Sequence, residues 1–354
     1  MVVETELRAS GPSRDWMIRT RDLWKVYGPH ASRLVGSADA ELTRAELEAK
    51  TGCVIAMRDI TMYVAAGEVF VVMGLSGSGK STLIRCLTRL IEPTSGTVEI
   101  GGVDVTKASK QELLNVRRNS VSMVFQHFGL LPHRSLLDNV AFGLEVRGND
   151  KAQRREKAEE VLALVGLGGL GGRKPDQLSG GMQQRVGLAR ALATEAPVLL
   201  FDEPFSALDP LIRRDMQDEV ARLQREVRKT MVFITHDLSE ALRLGDRIAI
   251  MRDGRFVQVG TPEEVVGAPA DEYVRNFVRD VPRSHVVSVD SIMEPGGAGP
   301  YGLSVPSGTK VRDVVRLLVE SELPVRVVDT AGTTLGSVDR VGVLGVIARE
   351  DSVR

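Results

Sequence analysis

The sequence predicts an α/β fold in which a mixed sheet of buried strands is flanked by helices. Residues 68–73 are almost entirely apolar and lead into a glycine-rich loop and then a helix. Residues 198–203 form a second apolar run, which ends in two carboxylates, and residues 230–235 form a third. Uninterrupted apolar runs of this length are typical of strands buried on both faces of a parallel sheet. The carboxyl ends of such strands are where α/β proteins bind their ligands.

The composition is that of a globular protein with more than one domain. The chain has 354 residues, of which 43% are hydrophobic and 26% are charged, and this length favours about two domains. The net charge of −1 gives no overall attraction to nucleic acid, so we expect no nucleic-acid partner. The two cysteines lack metal-binding spacing and indicate reduced thiols in a cytoplasmic protein. We expect neither a signal peptide nor a membrane span.

The glycine-rich loop after the first apolar run reads GLSGSGKST over residues 74–82 and matches the pattern G-x-x-x-x-G-K-[ST]. Its glycines can adopt positive φ, so that successive backbone N–H groups form a concave nest for phosphate. Lys80 can reach the β- and γ-phosphates, and the Ser81 hydroxyl is placed to ligate Mg²⁺. We expect the nucleotide contacts of this loop to be Gly74, Ser76, Gly77, Ser78, Gly79, Lys80, Ser81 and Thr82.

The segment before the loop contains a strand, an insertion and a second strand. Residues 16–27 read as a strand that ends at Tyr27, whose ring either stacks on a base or belongs to the core. Residues 28–52 interrupt the expected hairpin, and Thr43 with Glu46 forms a capping box that predicts a helix over residues 42–50. We assign no chemistry to this insertion.

Three further segments carry polar groups that could act on a nucleotide. Ser179 and two glycines precede a helix and predict a second anion site. Asp202 can hold the Mg²⁺ shell, and Glu203 can polarise a water molecule. His236 follows the third apolar run and is a candidate contact for the γ-phosphate. Helical periodicity over residues 136–146 and 152–165, between the first and second apolar runs, indicates a helical insert there.

Taken in order, these segments resemble the ATP-binding cassette (ABC) transporter ATPases over about residues 16–281. The motifs that carry the resemblance are the P-loop, a Q-loop at Gln126, LSGGMQQR at 178–185, VLLFDEP at 198–204, SALD at 206–209 and ITHD at 234–237. The resemblance implies a P-loop ABC cassette with a helical subdomain at about residues 127–190. It also implies that the protein binds ATP and Mg²⁺, hydrolyses ATP, and pairs head to tail as a homodimer.

The resemblance further assigns roles to individual residues. The catalytic residues that it implies are Lys80, Gln126, Glu203 and His236. Outside the P-loop, the nucleotide contacts that it implies are Tyr27, Gln126, Ser179, Gly180, Gly181, Asp209 and His236. The metal ligands that it implies are Ser81, Gln126 and Asp202. Ser179 and Gly181 are expected to complete the site of the other protomer.

A narrower resemblance is to the ATPase subunits of glycine betaine, proline and related quaternary-amine importers. It rests on the insertion and on blocks such as GLSGSGKSTLIRCLTRLIEPTSG and MVFQHFGLLPHRSLLDNVAFGLE. It implies membrane permease subunits, an extracytoplasmic substrate-binding protein or domain, and a peripheral location on the cytoplasmic face of the membrane. The permease is expected to dock in a groove formed by residues 126–146. An importer of amino acids or another small solute is the alternative.

The carboxyl-terminal part has a different composition. We expect the ATPase domain to comprise residues 1–281, a linker to comprise 282–306, and a small α+β module to comprise 307–354. The phrase LPVRVVDTAGTTLGSVDR resembles a CBS module, a regulatory domain that works in tandem pairs. Only a single module, or part of one, can be identified here. ABC ATPases of DNA repair and translation are disfavoured, because long coiled-coil inserts, zinc-binding cysteines and a second cassette do not occur.

Overall fold

The structure is a computed structural model that describes residues 16–126, 129–296, 299–321 and 323–351. The chain forms two compact units, Met1–Val259 and Gly260–Arg354. The boundary between them therefore lies about 20 residues before the position expected from the sequence. The first unit has two sheets and the second has one, and each unit has its own hydrophobic core.

The strands of the first unit are β1 (Trp16–Tyr27), β2 (Val54–Ala65), β3 (Val69–Met73), β4 (Ser95–Ile100), β5 (Val103–Asp104), β6 (Val121–Val124), β7 (Val198–Asp202), β8 (Thr230–Thr235), β9 (Arg247–Arg252) and β10 (Arg255–Gly260). Its helices are α1 (Arg44–Thr51), α2 (Lys80–Leu87), α3 (Lys110–Asn115), α4 (Leu136–Arg147), α5 (Lys151–Leu164), α6 (Gly180–Ala193), α7 (Pro210–Val227) and α8 (Leu238–Leu244). The strands predicted at residues 16–27, 68–73, 198–203 and 230–235 are present as β1, β3, β7 and β8, and the helix predicted at 42–50 is present as α1, with ends that differ by a few residues.

Six strands form the central sheet in the order β10-β9-β3-β8-β7-β6. The pairs β9–β3, β3–β8, β8–β7 and β7–β6 are parallel. Every residue of β3, β7 and β8 is buried, as their uninterrupted apolar sequences predicted. Because these strands run in the same direction, the P-loop, the Asp202–Glu203 pair and His236 all follow strand ends at one edge of the sheet.

A second sheet, with the order β2-β1-β4-β5, is antiparallel. The insertion between β1 and β2 contains α1, whose predicted capping box is present. Thr43 Oγ1 accepts a hydrogen bond from the Glu46 backbone at 3.4 Å, and a Glu46 carboxylate oxygen accepts one from the Thr43 backbone at 3.0 Å. Leu34, Ala40 and Leu47 of the insertion are buried in a small separate core with residues of β1.

The helical subdomain lies between β6 and β7. Helices α4, α5 and α6 pack against one another there. His127 and Phe128, at the start of the range predicted for this subdomain, lie outside the described residues.

The second unit contains the strands β11 (Glu294–Pro295), β12 (Ser304–Pro306), β13 (Val325–Val328) and β14 (Thr334–Val338). Its helices are α9 (Pro262–Gly267), α10 (Glu272–Val278), α11 (Val311–Glu320) and α12 (Arg340–Asp351). The sheet order is β11-β14-β13-β12. Residues 282–306, expected to form a linker, contribute two of these strands and the buried side chains of Val289 and Val305.

No helix in the described part of the chain is both long enough and apolar enough to cross a lipid bilayer.

Candidate nucleotide-binding site

The P-loop backbone requires glycine at two positions for steric reasons. Gly79 has a φ of 106°, and a Cβ atom there would lie 2.2 Å from the carbonyl oxygen of Ala56. A Cβ atom on Gly74 would lie 2.2 Å from the carbonyl oxygen of Met251. Since carbon and oxygen atoms cannot approach this closely, a side chain at either position would displace the loop. The loop therefore keeps its shape because β2 and β9 pack directly against its backbone.

Lys80 is the first residue of α2 and is only 4% exposed. Its Nζ donates hydrogen bonds to the carbonyl oxygens of Gly74 at 2.8 Å and Leu75 at 3.0 Å. It also lies 4.0 Å from Oε1 of Glu203. Burial lowers the pKa of the Lys80 ammonium below its ordinary value, although Glu203 and Asp202 oppose this shift. The loop thus holds a desolvated cation where a polyphosphate would supply compensating charge.

Ser81 and Asp202 meet across the site. The Ser81 hydroxyl donates a hydrogen bond to Asp202 Oδ1 at 2.8 Å. Asp202 is 5% exposed, and its other oxygen lies 3.7 Å from the guanidinium of Arg85. A hydroxyl and a carboxylate oxygen side by side match the ligands that Mg²⁺ takes from proteins, which usually supply only one or two while phosphates and water complete the octahedron. Among the described residues no cluster of three or more His, Cys, Asp or Glu groups could hold a metal ion by itself.

Glu203 and His236 form the second contact across the strand ends. His236 Nδ1 lies 3.1 Å from Glu203 Oε2. The Glu203 backbone has a φ of 47°, a left-handed conformation that is uncommon for a residue with a side chain, and its N–H donates to Ile234 at 3.0 Å. Strain of this kind is concentrated at functional sites. The turn directs the Glu203 carboxylate between Lys80 and His236.

These groups adjoin a cavity of about 300 Å³. The described residues that line it are Tyr27, Arg44, Val54, Ile55, Ala56, Ser76, Gly77, Gly79, Lys80, Ser81, Thr82 and Glu203. Tyr27 is 42% exposed, and Lys25 Nζ lies 4.8 Å from the centroid of its ring. Of the two interpretations of Tyr27, the structure favours the exposed ring that can stack on a base over the core aromatic.

The structure does not bring every predicted residue to this cavity. Gly74 and Ser78 belong to the loop but do not line the cavity, and the buried Ser78 hydroxyl has no hydrogen-bond partner among the residues that the structure describes. Gln126 follows β6 and is half-buried outside the lining. Asp209 caps α7 by accepting hydrogen bonds from Leu211 and Ile212 at 3.2 and 3.1 Å.

The signature segment also lies outside the cavity lining. Ser179 caps α6, where its Oγ accepts a hydrogen bond from the Met182 backbone at 3.4 Å, and both Ser179 and Gly180 are exposed. A Cβ atom on Gly181 would lie 2.3 Å from Ile212 Cγ2. Within one chain, therefore, the anion site at Ser179 does not line the cavity that contains the P-loop.

Sequence reasoning missed four residues that line the cavity, which are Arg44, Val54, Ile55 and Ala56. The three residues of β2 come from a strand whose sequence gives no sign of a ligand. Arg44 belongs to the insertion, and the only signal for its position was that the insertion begins directly after Tyr27.

Comparison with known proteins agrees with this geometry. The family model described as ABC transporter matches residues 57–206. The glycine betaine/carnitine transport ATP-binding protein GbuA of Listeria monocytogenes is 53% identical over 276 residues, which are 78% of this chain and 70% of that protein. The trimethylamine N-oxide transport ATP-binding protein TmoW of Ruegeria pomeroyi is 46% identical and covers 94% of this chain and 97% of its own length. The glycine betaine/proline betaine transport ATP-binding protein ProV of Escherichia coli is 52% identical, covering 78% of this chain and 69% of its own.

Solved structures show the same fold. The ATP-binding cassette MJ0796, a dimer in a post-hydrolysis state with ADP and phosphate, superposes with a TM-score of 0.58 at 32% identity, covering 70% of this chain and 99% of its own. The resemblance of residues 307–354 to a CBS module stays a prediction. The P-loop cassette fold is confirmed, and the chain binds and hydrolyses ATP. On this evidence the chain belongs to the family of ABC transporter ATP-binding proteins.

Proposed function

We propose that this chain is the ATP-hydrolysing subunit of an importer for small solutes that carry a quaternary or trimethylated nitrogen, such as glycine betaine. The observation that carries the proposal is that relatives at 46–53% identity are named for transport of glycine betaine, carnitine, proline betaine or trimethylamine N-oxide. Glycine betaine and trimethylamine N-oxide share a trimethylated nitrogen beside an anionic oxygen. Choline carries the same trimethylated nitrogen, and the proposal extends to osmoprotectant import. Proline is a secondary amine without that group and belongs to the proposal only as an osmoprotectant carried alongside a trimethylated solute.

Trimethylamine N-oxide is a second candidate substrate. The relative named for it aligns with 94% of this chain, so the alignment reaches past the first compact unit. The relatives named for glycine betaine align with 78%. An importer of amino acids or another small solute is the remaining alternative.

Within the site, Lys80 and the loop N–H groups would hold the β- and γ-phosphates of ATP. Ser81 and Asp202, which already share a hydrogen bond, would hold Mg²⁺ with Gln126. Mg²⁺, when bound, neutralises the charge that develops on the phosphates. Glu203 would act as the general base that orients and deprotonates the attacking water, and His236 would contact the γ-phosphate. The contact between His236 and Glu203 supports this pairing of roles.

The complete site would need two chains. Ser179, Gly180 and Gly181 are at a helix amino terminus, where exposed N–H groups and the helix dipole favour an anion. Since they do not line the cavity of their own chain, we propose that they face the γ-phosphate bound by a second copy in a head-to-tail dimer. Asp209 would lie at the same interface.

The permease would dock in an apolar groove between the helical subdomain and the segment around β6. A cavity of about 300 Å³ is lined by the partly exposed side chains of Leu90, Phe125 and Val146, and Arg117 and Arg118 also line it. This groove fits an amphipathic helix with an acidic edge. Leu130 and Leu131, expected from the sequence to contribute, are half-buried but do not line it. Docking there would keep the chain at the cytoplasmic face, with a substrate-binding protein on the opposite side of the membrane.

Transport in a strain that lacks its own osmoprotectant uptake tests the substrate assignment. The chain would be expressed with its permease and binding-protein partners, and uptake of labelled glycine betaine, proline, choline, carnitine and trimethylamine N-oxide compared at high osmolarity. We expect uptake of at least one trimethylated solute that is lost in the Glu203→Gln variant. Uptake of an amino acid with no trimethylated solute transported would contradict the proposal.

A further inference from the structure

We infer that Arg44, which the insertion of residues 28–52 supplies, binds the nucleoside end of ATP. The inference rests on the proposed ATP site and gives the insertion a role within it. Arg44 is the first residue of α1 and lies on the same cavity as the P-loop.

The cavity lining divides into two groups of residues. Ser76 to Thr82 of the loop and Glu203 carry the groups suited to phosphate and water. The remaining lining residues are Tyr27, Arg44 and the segment 54–56 of β2. A nucleotide whose phosphates occupy the loop has only this second group left to receive its base and ribose. Arg44 is the only cation in that group, and Tyr27 is the only aromatic residue.

The insertion holds Arg44 in place. Helix α1 begins at a complete capping box, and Leu47, one turn after Arg44, is 2% exposed in the small core. Lys50 lies 2.8 Å from Asp39, and the Arg58 guanidinium of β2 donates to the backbone oxygen of Ala40. A side chain mounted on a helix with these attachments is positioned more accurately than one on a free loop.

Arg44 has the chemistry that a nucleoside contact requires. Its side chain is exposed, and within the described part of the chain it has no hydrogen-bond or ion-pair partner. A guanidinium is planar, stacks on aromatic faces and donates several hydrogen bonds, so it can bind adenine and ribose together. Arg33, by contrast, is an exposed arginine of the same insertion that does not line the cavity.

The test compares Arg44→Met with the matched control Arg33→Met in the full-length chain. Equilibrium titration with Mg-ATP and with Mg-ADP gives the dissociation constants, and thermal unfolding checks that both variants fold like the wild type. We expect Arg44→Met to raise both dissociation constants by the same factor, about three- to tenfold, as for loss of one cation–π or hydrogen-bonded contact. Arg33→Met should leave both unchanged. In the assembled transporter, Arg44→Met should raise KM for ATP and leave kcat unchanged.

Two results would overturn the role of Arg44 while leaving the proposed ATP site in place. One is equal affinity in Arg44→Met and Arg33→Met. The other is a weakening of ATP binding but not of ADP binding, which would place Arg44 at the γ-phosphate. Lys80→Ala serves as the reference for the site itself and should abolish measurable binding. If Lys80→Ala bound ATP like the wild type, both the site assignment and the inference would fail.

Discussion

The two oxygens of the Glu203 carboxylate face different partners: Oε2 lies 3.1 Å from His236 Nδ1, and Oε1 lies 4.0 Å from Lys80 Nζ. Each partner comes from a different strand end, so the contact exists only when the parallel sheet is formed. The carboxylate is therefore oriented by the fold before any substrate binds. In its proposed role as the general base, Glu203 would then lose little freedom on meeting the attacking water.

Glu203→Gln should lower the rate of ATP hydrolysis by about 10²- to 10⁴-fold, because the amide cannot accept the proton of the attacking water. ATP affinity should stay within about threefold of the wild type, since Lys80 and the loop remain. Steady-state phosphate release and equilibrium nucleotide binding measure the two quantities. Glu48→Gln, on the exposed surface of α1, is the control and should hydrolyse ATP like the wild type. Wild-type turnover by Glu203→Gln would refute its role as the base.

Gly79→Ala should destabilise the loop and abolish ATP binding. The substitution combines left-handed strain, about 1–3 kcal/mol, with a close approach to the Ala56 carbonyl. Gly148→Ala is the matched control, because Gly148 also has positive φ but has open space around it. Urea unfolding should show a greater loss of the free energy of unfolding for Gly79→Ala than for Gly148→Ala. Equal losses, with ATP binding retained, would show that the close approach does not constrain the loop.

Cys86 should be unreactive in the folded protein. Burial raises the pKa of its thiol to about 12 from an ordinary value of 9.0. At pH 8 only about one Cys86 in ten thousand is then the reactive thiolate. The unfolded thiol ionises near pH 9.0 while the folded one keeps its proton to about pH 12, so this group makes the free energy of unfolding fall as the pH rises between those values.

Maleimide labelling of a Cys53→Ser variant measures the reactivity of Cys86 alone. Labelling at pH 8 should be slow in the native protein and fast in urea. Equal rates in the two conditions would show that Cys86 is accessible in the native fold.

Val146→Asp should uncouple ATP hydrolysis from transport. Val146 is 44% exposed and lines the groove assigned to the permease, so a carboxylate there would oppose docking of an apolar helix face without disturbing the core. We expect the assembled complex to lose transport that is coupled to its ATPase activity. ATP binding by the isolated chain should stay normal, which distinguishes a docking defect from a folding defect. Val319→Asp, at an exposed position in the second unit, is the control. Normal transport by Val146→Asp would show that the permease does not dock in this groove.

Most strands and helices of the cassette could be predicted, because the sequence patterns that indicate them lie within the elements themselves. The apolar runs of β3, β7 and β8 indicated buried strands, and Thr43 with Glu46 indicated the start of α1, whose C-cap Gly52 has a φ of 67°. The candidate catalytic residues could be placed together because the carboxyl ends of parallel strands lie at one edge of the sheet. These inferences need only periodicity, capping and strand direction.

The features that sequence reasoning missed depend on tertiary contacts. Arg44 reaches the cavity because the insertion folds back onto β1 and β2, and nothing in its immediate sequence indicates this. The prolines and glycines of residues 282–306 are typical of a linker. Val289 and Val305 are nevertheless buried against α11 and the sheet of the second unit. The division between units likewise depends on packing rather than on composition.

We propose that each ATP site combines the P-loop of one chain with Ser179 of another, and mixing two inactive variants distinguishes this arrangement from a site within one chain. Lys80→Ala disables the P-loop, and Ser179→Arg blocks the signature. In a mixed head-to-tail dimer both defects fall in one site and the other site is intact, so mixing should restore up to about a quarter of wild-type ATP hydrolysis. The Lys80→Ala, Ser179→Arg double variant mixed with wild-type chain should leave no intact site in the mixed dimers. If mixing the two single variants restored no activity, each site would lie within one chain, and the site shared between two chains would be ruled out.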